Sequence, residues 1–310
     1  MMKTYFSPLF LFFCLVLLHP VQAQWQQIAL PKGLPTNNVV HHQGYYFINY
    51  RSNIFRSTDG VQWHTVASPD MDVQNFSSLQ LFSDGTRLYA NLFHFTNDHG
   101  LYASEDSGDT WTLANTTLNV PSGKFVATAN ALYAYTPGFS LVSKSIDHGV
   151  TWQTILSESS EINGLDVHDS TVVVLSALHL MRSSDGGATW AEVSNVIKGT
   201  SGGAQFTVWA PVYYAGDGVW FTQNVFARST DDGLTWEQIP LPAGYVYPTR
   251  IAGFQGKVWM TSNQFDTETF VSTDKGLNWI PDLLPGAENQ LLGVGDTLFA
   301  AGFSGCFYSL

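Results

Sequence analysis

The sequence predicts an all-β protein, a single seven-bladed β-propeller, and three observations predict it. A turn motif, Ser-x-Asp-x-Gly-x-x-Trp, recurs along the 310-residue chain. Successive motif aspartates are separated by roughly 38 to 47 residues, which is the length of one four-stranded blade. Between the motifs, short apolar strands alternate with Gly-rich turns and no helical periodicity is present.

The motif is present in six copies, of which the first is one residue short. Its aspartates are Asp59, Asp106, Asp147, Asp185, Asp231 and Asp274. The Asp carboxylate and the Ser hydroxyl can accept hydrogen bonds from N–H groups of their own turn, where a strand ladder has ended. The Gly supplies a positive φ, and the Trp opens the next strand with a large apolar surface. We therefore expect these aspartates to be structural, because a Ca²⁺ loop needs a denser set of oxygen ligands.

The last repeats indicate how the ring closes. Residues 251–256 form a strand and turn, Lys257–Thr261 a second strand and Thr269–Ser272 a third, and the segment after Trp279 closes the blade. Residues 289–310 supply three more strands without a motif, while residues 25–28 resemble an outer strand without its blade. Pairing the two completes a seventh blade and removes the exposed sheet edges of an open array.

Residues 1–23 predict a secretory signal peptide, which leaves 24–310 as the propeller. Lys3 precedes an apolar core from about Leu9 to Leu18, and residues 21–23 form a small-residue cleavage site. The apolar run is short for a membrane span, so none is expected after cleavage, with an uncleaved anchor as the alternative. The mature chain would keep one cysteine, Cys306, and no internal disulfide. These features favour a secreted or periplasmic, bacterial protein that is a monomer.

The charge balance excludes some classes of partner. The formal net charge is −12, without long runs of one sign, and removal of the signal also removes Lys3. Nucleic acids and anionic lipid surfaces reward clustered Lys and Arg, so neither is an expected partner. No motif predicts a cofactor.

The repeated motif resembles the Asp-box, or bacterial neuraminidase repeat, propellers, and the resemblance covers essentially the whole mature chain. That group includes sialidases, xyloglucan-cleaving hydrolases, sortilin-type receptor domains and a photosystem II assembly factor. The resemblance therefore implies a scaffold and leaves the activity open.

A sialidase-type site would need three arginines around the substrate carboxylate, a Tyr nucleophile paired with a Glu, and an Asp acid/base. Arg51 and Arg250 are available on the face opposite the motif turns, which we call the loop face. The other arginines are expected on the motif-turn face: Arg56, Arg87, Arg182 and Arg228. Nearby lysines offer charge without the planar fork of Arg: Lys32, Lys124 and Lys198. A typical sialidase site is not predicted, and a xyloglucanase-like cleft would need a second propeller.

The candidate ligand contacts lie on the loop face. One intrablade loop carries His94, Phe95, Asp98 and His99, and another carries Asp266 and Glu268; Tyr245, Tyr247 and Arg250 follow an interblade connection, and Arg51 ends a strand. Aromatics beside polar groups suit carbohydrate or peptide ligands. His94, Asp98 and His99 could bind a metal, but three such residues in one loop are more often solvated, so no metal site is predicted. Asp266 and Glu268 could form an acid/base pair.

Two functions remain open. The first is an exported, non-catalytic binding or assembly propeller that presents its loop face to a carbohydrate or protein ligand. The alternative is an extracellular carbohydrate-active hydrolase that uses carboxylates at the mouth of the ring. They differ in whether two carboxylates, or a carboxylate and a Tyr, converge on one pocket of the loop face.

Overall fold

A computed structural model describes most of the propeller region. The described residues are 26–28, 39–50, 53–69, 76–94, 100–115, 124–136, 138–193, 212–222, 226–242, 248–262, 269–282, 290–302 and 305–309. The predicted signal peptide lies outside them. Within these ranges, no helix is long and apolar enough to cross a membrane.

The described residues form seven antiparallel sheets of four strands, one for each predicted blade. Blade 7 contains β1 (Gln26–Gln27), which is the first strand in the chain. Blade 1 follows with β2 (Val39–His42), β3 (Tyr45–Tyr50), β4 (Asn53–Ser57) and β5 (His64–Val66). Blade 2 has β6 (Phe76–Ser83), β7 (Leu88–His94), β8 (Gly100–Ser104) and β9 (Thr112–Asn115). Blade 3 has β10 (Lys124–Thr128), β11 (Ala131–Tyr135), β12 (Leu141–Ser145) and β13 (Gln153–Ser157).

The remaining blades repeat this order. Blade 4 has β14 (Ile162–His168), β15 (Thr171–Ser176), β16 (Leu180–Ser183) and β17 (Ala191–Glu192). Blade 5 has β18 (Val212–Tyr214), β19 (Trp220–Thr222), β20 (Ala227–Ser229) and β21 (Glu237–Gln238). Blade 6 has β22 (Pro248–Phe254), β23 (Lys257–Ser262), β24 (Thr269–Ser272) and β25 (Ile280–Asp282). Blade 7 has β26 (Gln290–Val294), β27 (Thr297–Gly302) and β28 (Gly305–Ser309).

Ring closure occurs in blade 7, as the sequence predicts. The order of that sheet is β26-β27-β28-β1, and Gln26 pairs with Tyr308 while Gln27 pairs with Phe307. The N–H of Ile28 then donates to the Cys306 carbonyl at 2.8 Å. The prediction of a seven-bladed propeller whose last blade is shared by both ends of the chain is confirmed.

The core lies between neighbouring blades. Each of seven apolar clusters joins two adjacent blades, so every interface around the ring is packed. Phe47 of blade 1, for example, is buried with Leu88 of blade 2, and Phe299 of blade 7 with Ile48 of blade 1. Each side chain of this size contributes about 1.5 to 3 kcal/mol when fully buried. The closing interface is therefore packed like the others.

The motif turns form the hydrogen bonds that the residue types predict. In blade 3 the Ser145 hydroxyl donates to Asp147 Oδ1 at 2.7 Å and accepts from the N–H of Gly149 at 2.9 Å. The hydroxyl of Thr151 donates to Asp147 Oδ2 at 2.5 Å, and its N–H donates to Oδ1 at 2.8 Å. These two hydrogen bonds lower the pKa of Asp147 to about 2, and the bond from the Thr151 hydroxyl contributes more than the bond from its N–H. The Trp152 indole N–H closes the turn on the Gly149 carbonyl at 2.9 Å.

Two details of the turns differ from the expectation. Each motif Trp lies one residue before the outer strand rather than in it, and Trp236 alone among the six is buried, the other five being partly exposed. In the five complete copies, a second residue with positive φ precedes the glycine, as His148 does at 59° before Gly149 at 87°. At Gly187, where φ is 94°, the backbone conformation favours glycine, and a Cβ would lie 2.5 Å from Ile155 Cδ1 and displace the end of that side chain.

A cation before the motif Ser joins most turns to the next blade. This residue donates to the carbonyl of the positive-φ residue in the following turn, and we call the contact a latch. The four latches are Arg56 to Ser107 at 2.8 Å, Lys144 to Gly186 at 2.7 Å, Arg182 to Asp232 at 2.8 Å and Arg228 to Lys275 at 2.7 Å. Arg56, Arg182 and Arg228 thus lie on the motif-turn face, and so does Arg87, which pairs with Glu105 at 2.5 Å.

Between blades 2 and 3 a histidine and a carboxylate take the place of the latch. Ala103 stands before the motif Ser there, and His148 Nδ1 lies 3.0 Å from Asp84 Oδ2. Burial alone would raise the pKa of Asp84, but hydrogen bonds, first from the Arg87 N–H and then from the Tyr89 hydroxyl, lower it to about 2. The carboxylate is therefore charged, and it can accept a hydrogen bond from His148 Nδ1.

Candidate functional site

The first strands of the blades surround a central channel. Neighbouring first strands contact one another around the ring, and they enclose a cavity of about 1070 Å³. Motif turns join strands three and four, so each first strand begins at the opposite, loop face. Polar side chains line the cavity among apolar ones: Gln80, Lys124, Asp166, Tyr213, Arg250 and Gln290.

Arg250 lies in this channel, near its loop-face end. It is the third residue of β22, and its Nη1 lies 3.5 Å from the hydroxyl of Tyr213, the second residue of β18. Burial raises the pKa of Tyr213, so the phenol stays protonated and can donate a hydrogen bond. Of the predicted ligand contacts, Arg250 is the one whose side chain the structure describes.

Lys124 lies across the channel from Arg250. It is the first residue of β10 in blade 3, and Arg250 belongs to blade 6 of the seven. Its side chain is exposed to the channel but far from bulk water, and this burial, followed by the charge of Arg250, lowers the pKa of the ammonium. Within the described residues Lys124 forms no ion pair.

Asp166 supplies a carboxylate deeper in the channel, on β14 of blade 4. Its Oδ1 accepts from the Val167 N–H at 2.9 Å and its Oδ2 from the Tyr214 N–H at 2.6 Å. Part of its surface faces the channel, yet the group is enclosed by the ring, and this burial raises its pKa to about 6 against the opposing hydrogen bonds. It is the one acidic residue among the described residues that line the cavity.

The described lining offers groups that can contact a charged or polar ligand. A glycosidase needs two carboxyl groups, about 5 to 9.5 Å apart, on either side of the scissile bond. The described lining instead offers two cations, a phenol, amides and one carboxylate whose two oxygens each accept a backbone N–H. In the described part of the chain, no three His, Cys, Asp or Glu side chains are placed to hold a metal ion.

The loop face beside the channel carries exposed apolar side chains. Phe139, between β11 and β12, is 61% exposed, and Leu178, between β15 and β16, is 55% exposed. The connection between blades 3 and 4 joins these two tips, because the Ile162 N–H donates to the Phe139 carbonyl and the Ala177 N–H to the Glu161 carbonyl. Charge in the channel and apolar surface beside it thus occur on one face.

Most predicted ligand contacts lie outside the described residues. These are Arg51, Phe95, Asp98, His99, Tyr245, Tyr247, Asp266 and Glu268, together with Lys32 and Lys198. His94 pairs with Phe76 at the end of β7, and nothing further of its side chain is described. The structure therefore brings Arg250 into the channel and leaves the others as predictions.

Sequence reasoning missed Asp166 and Tyr213 and did not include Lys124 among the ligand contacts. A signal was present, since β14 holds one acidic residue among apolar and neutral ones. Asp166 stands between Leu165 and Val167, and a charged residue in such a strand is informative once the repeats have been aligned.

Comparisons with known proteins agree with the architecture. Residues 17–125 match the family described as the DUF6242 beta propeller domain. No curated protein matches the sequence.

Three solved structures illustrate the likeness of fold. YCF48 from Cyanidioschyzon merolae shares 14% identity at a TM-score of 0.66, covering 93% of this chain and 99% of its own. YCF48 bound to D1 peptide shares 15% at 0.68, covering 93% and 94%. The GH74 xyloglucanase from Xanthomonas campestris shares 16% at 0.66, and the match spans 92% of this chain but 53% of the enzyme. Identities this low establish the fold alone.

Proposed function

We propose that this chain is an exported, non-catalytic binding or assembly propeller that holds a protein ligand against its loop face, with the channel mouth as its site. The observation on which the proposal rests is that Lys124 and Arg250 both line a channel whose described lining has one carboxylate. Such a site can recognise a ligand by charge and shape without a second acid to drive hydrolysis.

Two further observations support a protein rather than a carbohydrate as ligand. Phe139 and Leu178 are exposed apolar side chains beside the mouth, and apolar anchors near a charged pocket are typical of protein recognition. A protein of similar fold, YCF48, has been solved with a D1 peptide bound. The other predicted loop-face residues would extend this surface: Arg51, His94, Phe95, Asp98, His99, Tyr245, Tyr247, Asp266 and Glu268.

Export is part of the proposal, and it depends on the N-terminal sequence. The apolar segment that ends at Ala23 directs the chain to a secreted or periplasmic location, and the mature protein begins at Gln24. N-terminal sequencing of protein recovered outside the cytoplasm tests this, because recovery of an intact Met1 there would contradict cleavage.

Binding of mature protein to peptide and glycan arrays tests the function. We expect peptide binding that weakens in Arg250→Ala and in Phe139→Ser, and that persists in Arg87→Ala, a matched change on the motif-turn face. Binding that is equally lost in Arg87→Ala, or that is confined to glycans, would contradict a protein-binding loop face.

A carbohydrate-active hydrolase is the second candidate, and Asp166 is the observation that favours it. A carboxyl group with a pKa of about 6 suits a general acid. The partner carboxylate would have to come from Asp266 or Glu268. Release of reducing sugar from a polysaccharide by mature protein, abolished by Asp166→Asn, would establish this function in place of the first.

A further inference from the structure

We propose that the loop face of blades 3 and 4 carries a docking surface for a partner segment that combines a large apolar side chain with an Arg or Lys. This surface, which we call the corner, consists of residues 138–141, 158–162 and 177–179. The inference rests on the proposed function, because it names the chemistry of the protein ligand beside the channel mouth. The occupant is therefore a basic, apolar polypeptide segment.

Exposed apolar side chains are concentrated at the corner. Phe139 is 61% exposed, Leu178 is 55% exposed, and Leu141, the first residue of β12, is 46% exposed. A single exposed apolar residue is ordinary, whereas three in adjacent loops of one face are typical of a contact with another molecule. An apolar side chain of a partner that packs against them removes area from water on both molecules.

One peptide group holds the two tips of the corner beside each other. The Ile162 N–H donates to the Phe139 carbonyl at 2.7 Å. The Glu161 carbonyl, which belongs to the same peptide group, accepts the Ala177 N–H at 2.9 Å, and Leu178 follows directly. These bonds fix loops of two blades relative to one another. A ligand consequently meets a surface that is already formed, which lowers the entropic cost of binding.

The corner carries acceptors and negative charge without a cation. No Lys or Arg occurs in its three segments. Glu161 is exposed and forms no ion pair within the described residues. Glu158 Oε2 lies 2.9 Å from His179 Nδ1. Because an ionised carboxylate only accepts hydrogen bonds, Nδ1 holds the proton, and Nε2 of a neutral His179 is then an acceptor at the far edge of the ring.

These groups favour a cationic partner over an anionic one. An Arg or Lys beside Glu161 and His179 Nε2 donates charge-assisted hydrogen bonds to groups that have no other donor in the described chain. An acidic segment would instead meet two carboxylates on a protein of net charge −12. The apolar side chains supply the anchor, and the acceptors select the charge of the residue beside it.

The test measures binding of a blocked Gly-Ser-Leu-Arg-Ser-Gly peptide to mature protein by NMR, with the Leu methyl and backbone N–H signals as the readout. Two matched peptides replace Arg by Gln or Leu by Ser. We expect the parent peptide to bind about tenfold more tightly than either, since one loses a charge-assisted hydrogen bond and the other an apolar anchor.

Variants of the protein separate the two contributions. Leu178→Ser should remove the preference for Leu, and Glu161→Gln should weaken the preference for Arg. The matched changes away from the corner are Ile146→Ser, at an exposed apolar side chain, and Glu192→Gln, at an exposed carboxylate of β17, and both preferences should persist in them. An equal loss in Glu192→Gln would show that the acidic protein attracts the peptide as a whole, and it would overturn the corner.

Other outcomes would also overturn the docking surface. Equal binding of the three peptides, or no saturable shift up to tens of millimolar, is one. Self-association, or binding to phosphatidylcholine vesicles, that Phe139→Ser abolishes would assign the apolar side chains to a second copy or to a membrane. Array binding that weakens in Arg250→Ala but not in Leu178→Ser or Glu161→Gln would overturn the corner and leave the proposed function standing.

Discussion

Asp147 in a motif turn and Asp166 in the channel belong to neighbouring blades, and the pKa values of their carboxyl groups are shifted in opposite directions. Hydrogen bonds from Thr151, the hydroxyl's before the N–H's, lower the pKa of Asp147 to about 2. Burial raises the pKa of Asp166 to about 6, although it also accepts two N–H groups. The motif turns are open to water and saturated with donors, whereas the channel is enclosed and has fewer donors than its carboxylate can accept.

The difference separates stability from recognition in one ring. On the motif-turn face the motif carboxylates accept several hydrogen bonds from their own turns and the latches join neighbouring blades, although the buried Trp279 Nε1 donates to no described residue. At the channel mouth, Lys124 has no ion pair in the described chain and Gln80 Oε1 accepts no hydrogen bond there. Unsatisfied charge and acceptors are tolerated where a ligand can satisfy them.

The largest loss of stability is expected in blade 7, which carries no motif turn. Deletion of residues 24–30 removes β1 and the buried Ile28, and it exposes the edge of β28. We expect the free energy of unfolding to fall by about 3 kcal/mol or more, with self-association. Urea unfolding and light scattering measure both effects. Unchanged melting with a monodisperse product would show that blade 7 closes without β1.

A motif carboxylate tests the saturated face directly. Asp147→Ala leaves the Thr151 N–H and two hydroxyls without their acceptor, so unfolding should become easier by about 1 to 3 kcal/mol. Glu192→Ala, an exposed carboxylate of β17, serves as the matched control and should change little. If Asp106→Ala and Asp147→Ala both melt like the parent, the aspartates are not structural.

A latch should have a smaller effect than a turn. Lys144→Met keeps the stem beside the Tyr133 ring and removes the ammonium that donates to the Gly186 carbonyl. We expect a loss of about 1 kcal/mol, since the group is half-buried. The measurement is the urea midpoint of the variant against Lys257→Met, which removes an exposed lysine. A larger loss in Lys257→Met would contradict the latch.

The last test is a pH dependence of opposite sign in the two regions. The lowered pKa values of Asp106, Asp147 and Asp274, about 2 each, stabilise the fold above pH 4, and this contribution disappears as pH falls toward 2. The raised pKa of Asp166 acts in reverse, so its contribution is present below about pH 4 and is lost as pH rises to 6. Urea midpoints across this range should show a slope between pH 4 and 6 that Asp166→Asn removes. A slope that persists in this variant would assign it to another group.

The blade count and the ring closure could be predicted because the motif is local. Ser145, Asp147, Gly149 and Thr151 bond to one another within a few residues, and such contacts leave a pattern at fixed spacing. The latches were predicted in part, since Arg182 was expected near the turns but its acceptor is a backbone carbonyl of the next blade. Backbone acceptors leave no residue signature.

The channel could not be predicted in the same way, because its chemistry depends on enclosure. Asp166 and Asp169 stand three residues apart and look alike in sequence. The structure places Asp166 inside the ring and Asp169 in an exposed turn with φ of 51°. Arg250 was found by eliminating the arginines that precede motif serines. The position of Lys124 in the channel could be recognised only from the closed ring, since Arg250, the other cation of the described lining, lies three blades away.

The pairing of β1 with β28 has a mechanical consequence. The strands are antiparallel, with Gln26 opposite Tyr308, so chain leaving the ring before Gln26 and after Tyr308 emerges at one end of the pair. Tension between those two segments peels the pair apart one bond after another, rather than shearing all its bonds together. The ring would therefore open at blade 7 under modest force, while the six blades with motif turns bear no load until that seam has parted.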